Sequence, residues 1–412
     1  MKTWIIYPAA VIFGLAATLL LQDWQLYARF LDVVVPAAIQ IGLYVLFPVV
    51  FVLFTSAVAS LRRYKETFLV FSSALFWGLV TAIVLSLSGM ALAMFLPFEF
   101  VSPGSAPFSD YPLYTFSSFF SLFIAENAFV QLTQSTTTLL PIMVLALVIG
   151  LALRPDREAI RPAYVVVNSF AEAMIRLARV ATVIGAALML LISAHWFLHM
   201  PTEMVLSSGN LLFSLGLLIA VVASIFLILP LLFGLFTLFK GGNPYSILLG
   251  ALGAILATGF SGNMLFGTTP LLALTQQNCG VRKRVGGITT PLLTILGRGG
   301  SAMVTTYAII KLLQFAGISL SVQTMLFIAI FSALFSLGSA FSLGFELVFI
   351  SFMILQSLQA DIGIFFSSGM VLMLPILRIG ALLIDAAVNV FGTTFGSRLV
   401  SPDDTISIDE MM

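Results

Sequence analysis

The sequence predicts an all-α membrane protein with about eight transmembrane helices and two re-entrant helical hairpins of opposite orientation. The first observation is composition, since 60% of the 412 residues are hydrophobic and 8% are charged, whereas a soluble domain carries about 25% charged residues. The second is a series of apolar runs near the length of about 20 residues that a helix needs to cross a bilayer. The third is that turn-forming residues interrupt two of these runs.

Composition also excludes several classes of function. The net charge is +1 and no Lys/Arg-rich arm is present, so we expect no nucleic-acid partner. The single cysteine, Cys279, rules out a disulfide framework and a thiolate metal cluster. His195 and His199 lie near the end of an apolar run and are interpreted as an interfacial pair rather than a metal site. No hydrolase or metalloprotease motif is present, which argues against an enzyme.

The apolar runs define the predicted elements in chain order. They cover 4–21, 33–60, 67–97, 137–153, 163–197, 209–239, 246–274, 286–316, 322–359 and 362–397. The first run is too long for the apolar part of a signal peptide, and no small-residue cleavage site follows it. We therefore interpret 4–21 as the first spanning helix.

The charges of the connecting segments predict the orientation. Lys and Arg cluster at 61–66, 154–162 and 282–284, and such loops stay in the cytoplasm. Both termini are therefore predicted to be cytoplasmic, and the acidic tail at 401–412 is a solvated end. The segment 98–136 becomes an extracytoplasmic loop.

Two of the runs are predicted to enter the membrane and return. Lys240 and the 282–284 cluster both favour the cytoplasm, yet only 246–274 lies between them, and its middle is rich in turn formers. The run 322–359 is interrupted at 336–344 and carries Glu346 just beyond. Two broken segments in inverted halves are typical of a transporter with its site near the bilayer midplane.

The last run contains a polar stripe. Arg378, Asp385, Asn389 and Thr393 are spaced by seven, four and four residues, so an α-helix presents them on one face. A charge at membrane depth costs several kcal/mol unless protein or water compensates it, which favours a functional site. The alternative, that neighbouring helices satisfy Arg378 and Asp385 for purely structural reasons, stays open.

A further break is predicted in the run 286–316. Three glycines surround Arg298 within 297–301, which indicates locally unwound backbone with the arginine directed into protein. Arg298 would then bond either the unwound carbonyls or an anion, and Glu346 would either neutralise an arginine or take part in binding. The sequence alone does not decide between these roles.

In order and spacing, several motifs together resemble the dicarboxylate/amino acid:cation symporter family, the elevator transporters of glutamate and aspartate. The similar segments are LFPVVF at 46–51, FAEAM at 170–174, the first hairpin at 260–270, TPL at 290–292 followed by 297–301, and VNVFG at 388–392. The resemblance runs over nearly the whole chain and implies the fold described above.

The departures from the family pattern bear on its site. The serine triplet of the first hairpin is replaced by 264–266 (MLF), and glycines at 297 and 299 replace an asparagine and a sodium-binding aspartate. Asp385 stands where the family has the arginine that pairs a substrate carboxylate. Thr393 replaces a second sodium-binding aspartate, whereas Asn389 is kept.

The resemblance implies a set of site residues. The expected solute-binding residues are Asn263, Thr268, Arg298, Ser301, Ser339, Glu346, Arg378, Asp385 and Asn389. Possible sodium ligands are Thr81, Ser301, Asn389 and Thr393. Because carboxylates normally compensate a bound cation, their loss predicts that sodium coupling is weakened or replaced by protons. No cofactor is expected beyond Na⁺ or H⁺ as a coupling ion.

The implied function is secondary active transport of a small polar solute, an amino acid or a related organic ion, by an elevator mechanism. Asp385 predicts a neutral or cationic amino acid rather than an acidic one. The implied setting is a homotrimer in the lipid bilayer of a prokaryotic inner membrane. Two other interpretations stay open, a transport-inactive sensor or scaffold and a channel-like anion pathway.

The same resemblance implies a division of the chain. A scaffold would comprise 1–66 and 137–208. A transport domain would comprise 67–97 and 209–400, with the first hairpin at about 246–284 and the second at about 322–360.

Overall fold

The computed structural model describes residues 3–96, 139–153, 157–200, 208–238, 242–339, 346–360 and 370–400. Over these ranges the chain is helical and contains no strand, which confirms the predicted fold class. The helices are α1 Thr3–Leu21, α2 Gln25–Arg63, α3 Thr67–Phe95, α4 Leu140–Ala152, α5 Arg161–Leu198, α6 Ser208–Ala223, α7 Leu229–Phe236, α8 Pro244–Ser261, α9 Met264–Asn278, α10 Lys283–Leu296, α11 Gly299–Phe315, α12 Val322–Gly338, α13 Glu346–Ser357 and α14 Met370–Leu399. A π-helical turn, Ser224–Ile228, connects α6 to α7.

Seven helical segments in the described ranges are long and apolar enough to cross a membrane. They are α1, α2, α3, α5, the continuous α6–α7 segment, α8 and α14. The predicted fourth span is a helix of 13 residues in its described part, Leu140–Ala152. The predicted extracytoplasmic loop 98–136 and the tail 401–412 lie outside the described residues.

The second helix is longer than its apolar run. It covers 39 residues, Gln25–Arg63, and at about 1.5 Å per residue it is roughly 58 Å long. The sequence predicted only 33–60, because hydropathy detects the apolar part of a helix and not its polar ends. Because the hydrocarbon layer is only about 30 Å thick, α2 extends beyond it at one end or both.

The first hairpin is formed by α8 and α9. Its tip is Gly262, at φ +62°, and Asn263, and the left-handed conformation at Gly262 suits a residue without a Cβ atom. The Asn263 side chain accepts a hydrogen bond of 2.9 Å from the Leu265 amide and so caps the N-terminus of α9. This two-residue tip lies within the stretch of turn formers in the sequence.

The predicted break in the run 286–316 occurs between α10 and α11, at Gly297 and Arg298. The second hairpin has α12 and α13 as its two arms, and residues 340–345 of its tip lie outside the described ranges. In the described residues, tight helix interruptions occur at Gly262 and Asn263 and at Gly297 and Arg298. These interruptions bring helix termini into the interior.

Trp77 of α3 anchors the core around these interruptions. Its side chain is fully buried, its indole nitrogen donates a hydrogen bond of 2.9 Å to the Val388 carbonyl, and its ring stacks on Phe395 at 5.4 Å. Gly392 lies beneath the ring, where an added Cβ atom would be 2.3 Å from the Trp77 Cδ1 atom. The contact fixes α3 against α14.

Charged residues tie the start of α10 to neighbouring helices. The Lys283 ammonium lies 2.7 Å from the Glu172 carboxylate of α5 and 3.2 Å from the Asn168 side-chain oxygen. Arg284 lies 3.6 Å from the Glu66 carboxylate and 4.2 Å above the Tyr64 ring. Two members of the basic cluster predicted at 282–284, Lys283 and Arg284, are therefore paired with acidic residues.

We predict that Gly392→Ala destabilises the protein. The new methyl group would lie 2.3 Å from Trp77 and 2.6 Å from Leu293, and overpacking of this kind costs about 1–3 kcal/mol. Thermal unfolding of the purified protein in detergent measures the loss as a lower Tm.

Gly396→Ala, one turn further along α14, is the matched control. There the nearest atom to the new Cβ is the Ser73 hydroxyl oxygen at 3.2 Å, which can rotate away, and alanine gains up to about 1 kcal/mol of helix propensity. Equal Tm values for the two variants would contradict the packing described around Trp77.

Candidate functional site

The candidate site begins at the break between α10 and α11. Glycines at this break allow α11 to start in direct contact with α14, since a Cβ atom on Gly300 would lie 2.3 Å from the Ala381 carbonyl oxygen. A Cβ atom on Gly299 would lie 3.2 Å from the Thr81 carbonyl oxygen of α3. The N-terminus of α11 is therefore enclosed by α3 and α14.

Asp385 of α14 occupies that helix N-terminus. Its Oδ1 atom accepts hydrogen bonds from the amides of Gly300, at 2.7 Å, and Ser301, at 3.2 Å. Its Oδ2 atom accepts a third bond of 2.7 Å from the Ser301 hydroxyl. The first amides of a helix and its dipole form a natural anion site. In this protein a carboxylate of the chain itself fills that site.

Arg298 lies beside this carboxylate, with only 1% of its side chain exposed. Its Nη1 atom is 3.7 Å from Asp385 Oδ2 and 3.8 Å from Glu346 Oε1. Within the described residues its Nε and Nη1 atoms form no hydrogen bond. Arg298 is thus paired by charge with two carboxylates of the chain itself, and its binding of an anionic group of a solute stays a prediction.

The charges of this group do not cancel. One guanidinium faces two carboxylates, so Arg298, Glu346 and Asp385 together carry a formal charge of one negative. All three side chains are at most 4% exposed. An excess charge in such an environment costs several kcal/mol.

A second network consists of uncharged side chains. Two of its members, Asn389 and Thr393, lie one and two turns after Asp385 on α14. The Asn389 amide donates to the Thr290 carbonyl oxygen at 2.9 Å and to the Thr294 hydroxyl at 3.2 Å. Its side-chain oxygen accepts from Thr393 at 3.1 Å. Thr294 also lies 3.0 Å from the Thr268 hydroxyl of the first hairpin. The network joins α9, α10 and α14 without a formal charge.

Four further predicted residues, Thr81, Ser339, Asn263 and Arg378, have contacts of their own. The Thr81 hydroxyl donates to the Trp77 carbonyl at 2.7 Å, and the Ser339 hydroxyl donates to the Ser336 carbonyl at 2.7 Å. Asn263 is the cap of α9. Arg378 lies two turns before Asp385 on α14, and the two do not pair with each other.

Arg378 borders a cavity of about 660 Å³. The cavity is lined by α2, α5, the tip of the first hairpin and the first turns of α14. The cavity is thus lined both by elements that the sequence assigned to the scaffold, α2 and α5, and by elements that it assigned to the transport domain, the first hairpin and α14.

Sequence reasoning missed Thr290 and Thr294 as members of the polar network. Their spacing of four residues on α10 places both on one helix face, and that spacing was the available signal. It could not indicate that the facing residue is Asn389.

The family model that describes the sodium:dicarboxylate symporter family matches residues 2–402 of the chain. No curated protein matches the chain as a relative. The family match and the long apolar helices identify an integral membrane protein.

We predict that Asp385→Ala destabilises the protein by about 3–5 kcal/mol, because it leaves Arg298 buried with one partner fewer. Asp385→Asn should cost less, since its amide oxygen can still accept from the Gly300 and Ser301 amides. Thermal unfolding in detergent ranks the two variants.

Asp23→Ala removes an exposed carboxylate between α1 and α2 and serves as the control, with an expected change within about 0.5 kcal/mol. If Asp385→Ala unfolds at the same temperature as this control, Asp385 does not hold the start of α11.

Proposed function

Since the chain belongs to the sodium:dicarboxylate symporter family, we propose that it carries a small zwitterionic solute, a neutral or cationic amino acid, across the membrane. Members of this family are transporters and not enzymes. The observation that carries the proposal is the buried Arg298 between two carboxylates, whose Nε and Nη1 atoms form no hydrogen bond to the described residues.

The pattern of charges supports an amino acid as the solute. A carboxylate of the solute can accept hydrogen bonds from the Nε and Nη1 atoms of Arg298, in the charge-assisted geometry that arginine favours. An ammonium group can in turn approach Glu346 or Asp385. Opposite charges a few ångströms apart are what an α-amino acid presents. The expected contacts of Ser301 and Ser339 with solute belong to the same proposal.

The position of Asp385 argues against an acidic side chain on the solute. The amides that could hold a second carboxylate, those of Gly300 and Ser301, already bond to Asp385. A further carboxylate would also meet the negative charge of Asp385 itself. Like charges at short distance in a poorly solvated site repel strongly.

The excess negative charge supports a coupling cation. A zwitterion adds no net charge, so Arg298, Glu346 and Asp385 still favour one additional cation when the solute is bound. Sodium prefers several oxygen ligands that include carboxylates, whereas the oxygens of Asn389 and Thr393 are neutral and bonded to each other or to Thr290. We therefore propose a proton as the coupling ion, carried between the carboxylates.

We further propose that the solute crosses by an elevator movement. The moving part would be 67–97 and 209–400, and the static scaffold would be 1–66 and 137–208. Small residues at the boundary support a sliding contact, since a Cβ atom on Gly287 of α10 would lie 3.0 Å from Ala57 Cβ of α2. The proposed setting is a homotrimer in a prokaryotic inner membrane, with both termini in the cytoplasm.

Transport in proteoliposomes tests the solute and the coupling ion together. We expect uptake of neutral or cationic amino acids, driven by a proton gradient, to exceed uptake of L-aspartate. Arg298→Lys, which removes the planar fork of donors, should lower uptake by about tenfold or more.

Asp23→Asn, which removes an exposed carboxylate, should transport like the wild type. Each variant is first checked for an unchanged Tm, so that lost uptake is not lost folding. Uptake of L-aspartate driven mainly by a sodium gradient would overturn the proposed solute and coupling ion.

A disulfide across the proposed boundary tests the movement. In a Cys279→Ser background, the pair Ala57→Cys and Gly287→Cys places two Cβ atoms about 3.0 Å apart. This is shorter than the usual range of about 3.5–4.5 Å for a disulfide, so α10 and α2 must separate slightly for the bond to form. We expect oxidation to stop uptake and reduction to restore it.

The pair Ser73→Cys and Gly396→Cys is the matched control, because both residues lie in the proposed moving part and are also in close contact. Its oxidation should leave uptake unchanged. If the protein with the Ala57→Cys and Gly287→Cys pair transports at the same rate when oxidised as when reduced, α10 does not slide past α2.

A further inference from the structure

A cluster of three metal-binding side chains lies at the packed ends of α2 and α5, away from the site around Arg298. Asp32 belongs to α2, His195 belongs to the last turn of α5, and His199 is the residue directly after that helix. The Nε2 atoms of His195 and His199 lie 3.4 and 3.2 Å from the same oxygen, Asp32 Oδ1. The two imidazole rings are 4.4 Å apart between centroids. Three potential ligand atoms therefore converge on one point.

The second nitrogen of His199 fixes its tautomer. Its Nδ1 atom lies 2.9 Å from the carbonyl oxygen of His195, an atom that can only accept, so Nδ1 carries the proton. A neutral ring then has its lone pair on Nε2, which faces Asp32. A metal-binding histidine typically donates its other N–H to a carbonyl or carboxylate in this way.

Two of the three separations between ligand atoms suit a small tetrahedral ion, and all three lie within 4.8 Å. With metal–ligand bonds of about 2.0–2.1 Å, tetrahedral ligand atoms are about 3.3 Å apart. The two measured separations, 3.4 and 3.2 Å, lie on either side of that value. Without a metal, each ring can donate a proton on Nε2 to Asp32 Oδ1. A metal ion takes the place of both protons and binds the two rings and the carboxylate together.

The cluster is also accessible. The side chains of Asp32, His195 and His199 are 50%, 29% and 51% exposed. Both histidines line the cavity of about 660 Å³, so water can reach a fourth coordination position. Accessible nitrogen and oxygen ligands suit a divalent ion that exchanges with solution.

We propose that Asp32, His195 and His199 form a binding site for a divalent transition-metal ion, with Zn²⁺ as the first candidate. Two imidazoles and one carboxylate are a ligand set that zinc uses in proteins, completed by water. The harder ions Mg²⁺ and Ca²⁺ prefer sites made of oxygen. The expected selectivity therefore separates Zn²⁺ from the alkaline-earth ions.

A bound ion would link α2 to α5 beside the cavity. The opposite wall of that cavity contains Gly262 at the tip of the first hairpin and Arg378 of α14. An ion that binds only the folded arrangement stabilises it in proportion to its concentration. The bound ion would thus join α2 to α5 beside a cavity that the first hairpin and α14 also line.

Zinc titration of the full-length protein in detergent, purified without a polyhistidine tag, tests the proposal. We expect one Zn²⁺ per chain by calorimetry and a Tm that rises with zinc but not with Mg²⁺. His195→Asn, His199→Asn and Asp32→Asn should each weaken zinc binding by about tenfold or more.

Asp23→Asn, which removes an exposed carboxylate outside the cluster, should bind zinc like the wild type, and the Tm without metal verifies that each variant is folded. Co²⁺ bound to the wild-type protein gives a readout that needs no variant, because a tetrahedral site produces strong visible absorption bands. Absence of zinc binding, affinities unchanged in the three ligand variants, or the weak spectrum of octahedral Co²⁺ would each overturn the site.

Discussion

The permanent charge of Arg298 is the constraint on which the arrangement of the site depends. A guanidinium does not lose its proton in a protein, so this buried side chain must keep anions within reach. Asp385 and Glu346 supply them from α14 and α13, at 3.7 and 3.8 Å. The start of α11, α13 and α14 are separate in sequence, and these charge pairs hold them together. Because Glu346 begins α13, displacement of that arm of the second hairpin would leave Arg298 with Asp385 alone.

The neighbouring network around Asn389 is stabilised by hydrogen bonds between uncharged groups instead of by charge pairs. Its hydroxyl and amide groups satisfy one another through short hydrogen bonds, so it can be buried without compensating charge. At this site the charged side chains of Arg298, Glu346 and Asp385 are thus separate from the uncharged side chains that join α9, α10 and α14. The absence of a carboxylate in this neutral network also separates it chemically from the group around Arg298.

Much of the fold could be predicted, because hydropathy and turn residues act locally. The apolar runs indicate the long helices, and Gly262 marks the tip of the first hairpin. The partner of each polar side chain was less predictable. Spacing identifies the helix face that carries Asp385, but it contains no information that the carboxylate caps α11. For the same reason Asp32 and the histidines, distant in sequence, gave no joint signal, and the interfacial interpretation considered the two histidines alone.

The ion pair between Lys283 and Glu172 bears on how firmly α10 is held against α5. The Glu172 side chain is 58% exposed, and an ion pair in contact with water contributes only about 0–1 kcal/mol. Dissolved ions screen such a pair over a distance of about 8 Å at physiological ionic strength. The ion pair therefore stabilises the packing of α10 against α5 only weakly, and more weakly still as the salt concentration of the solution rises.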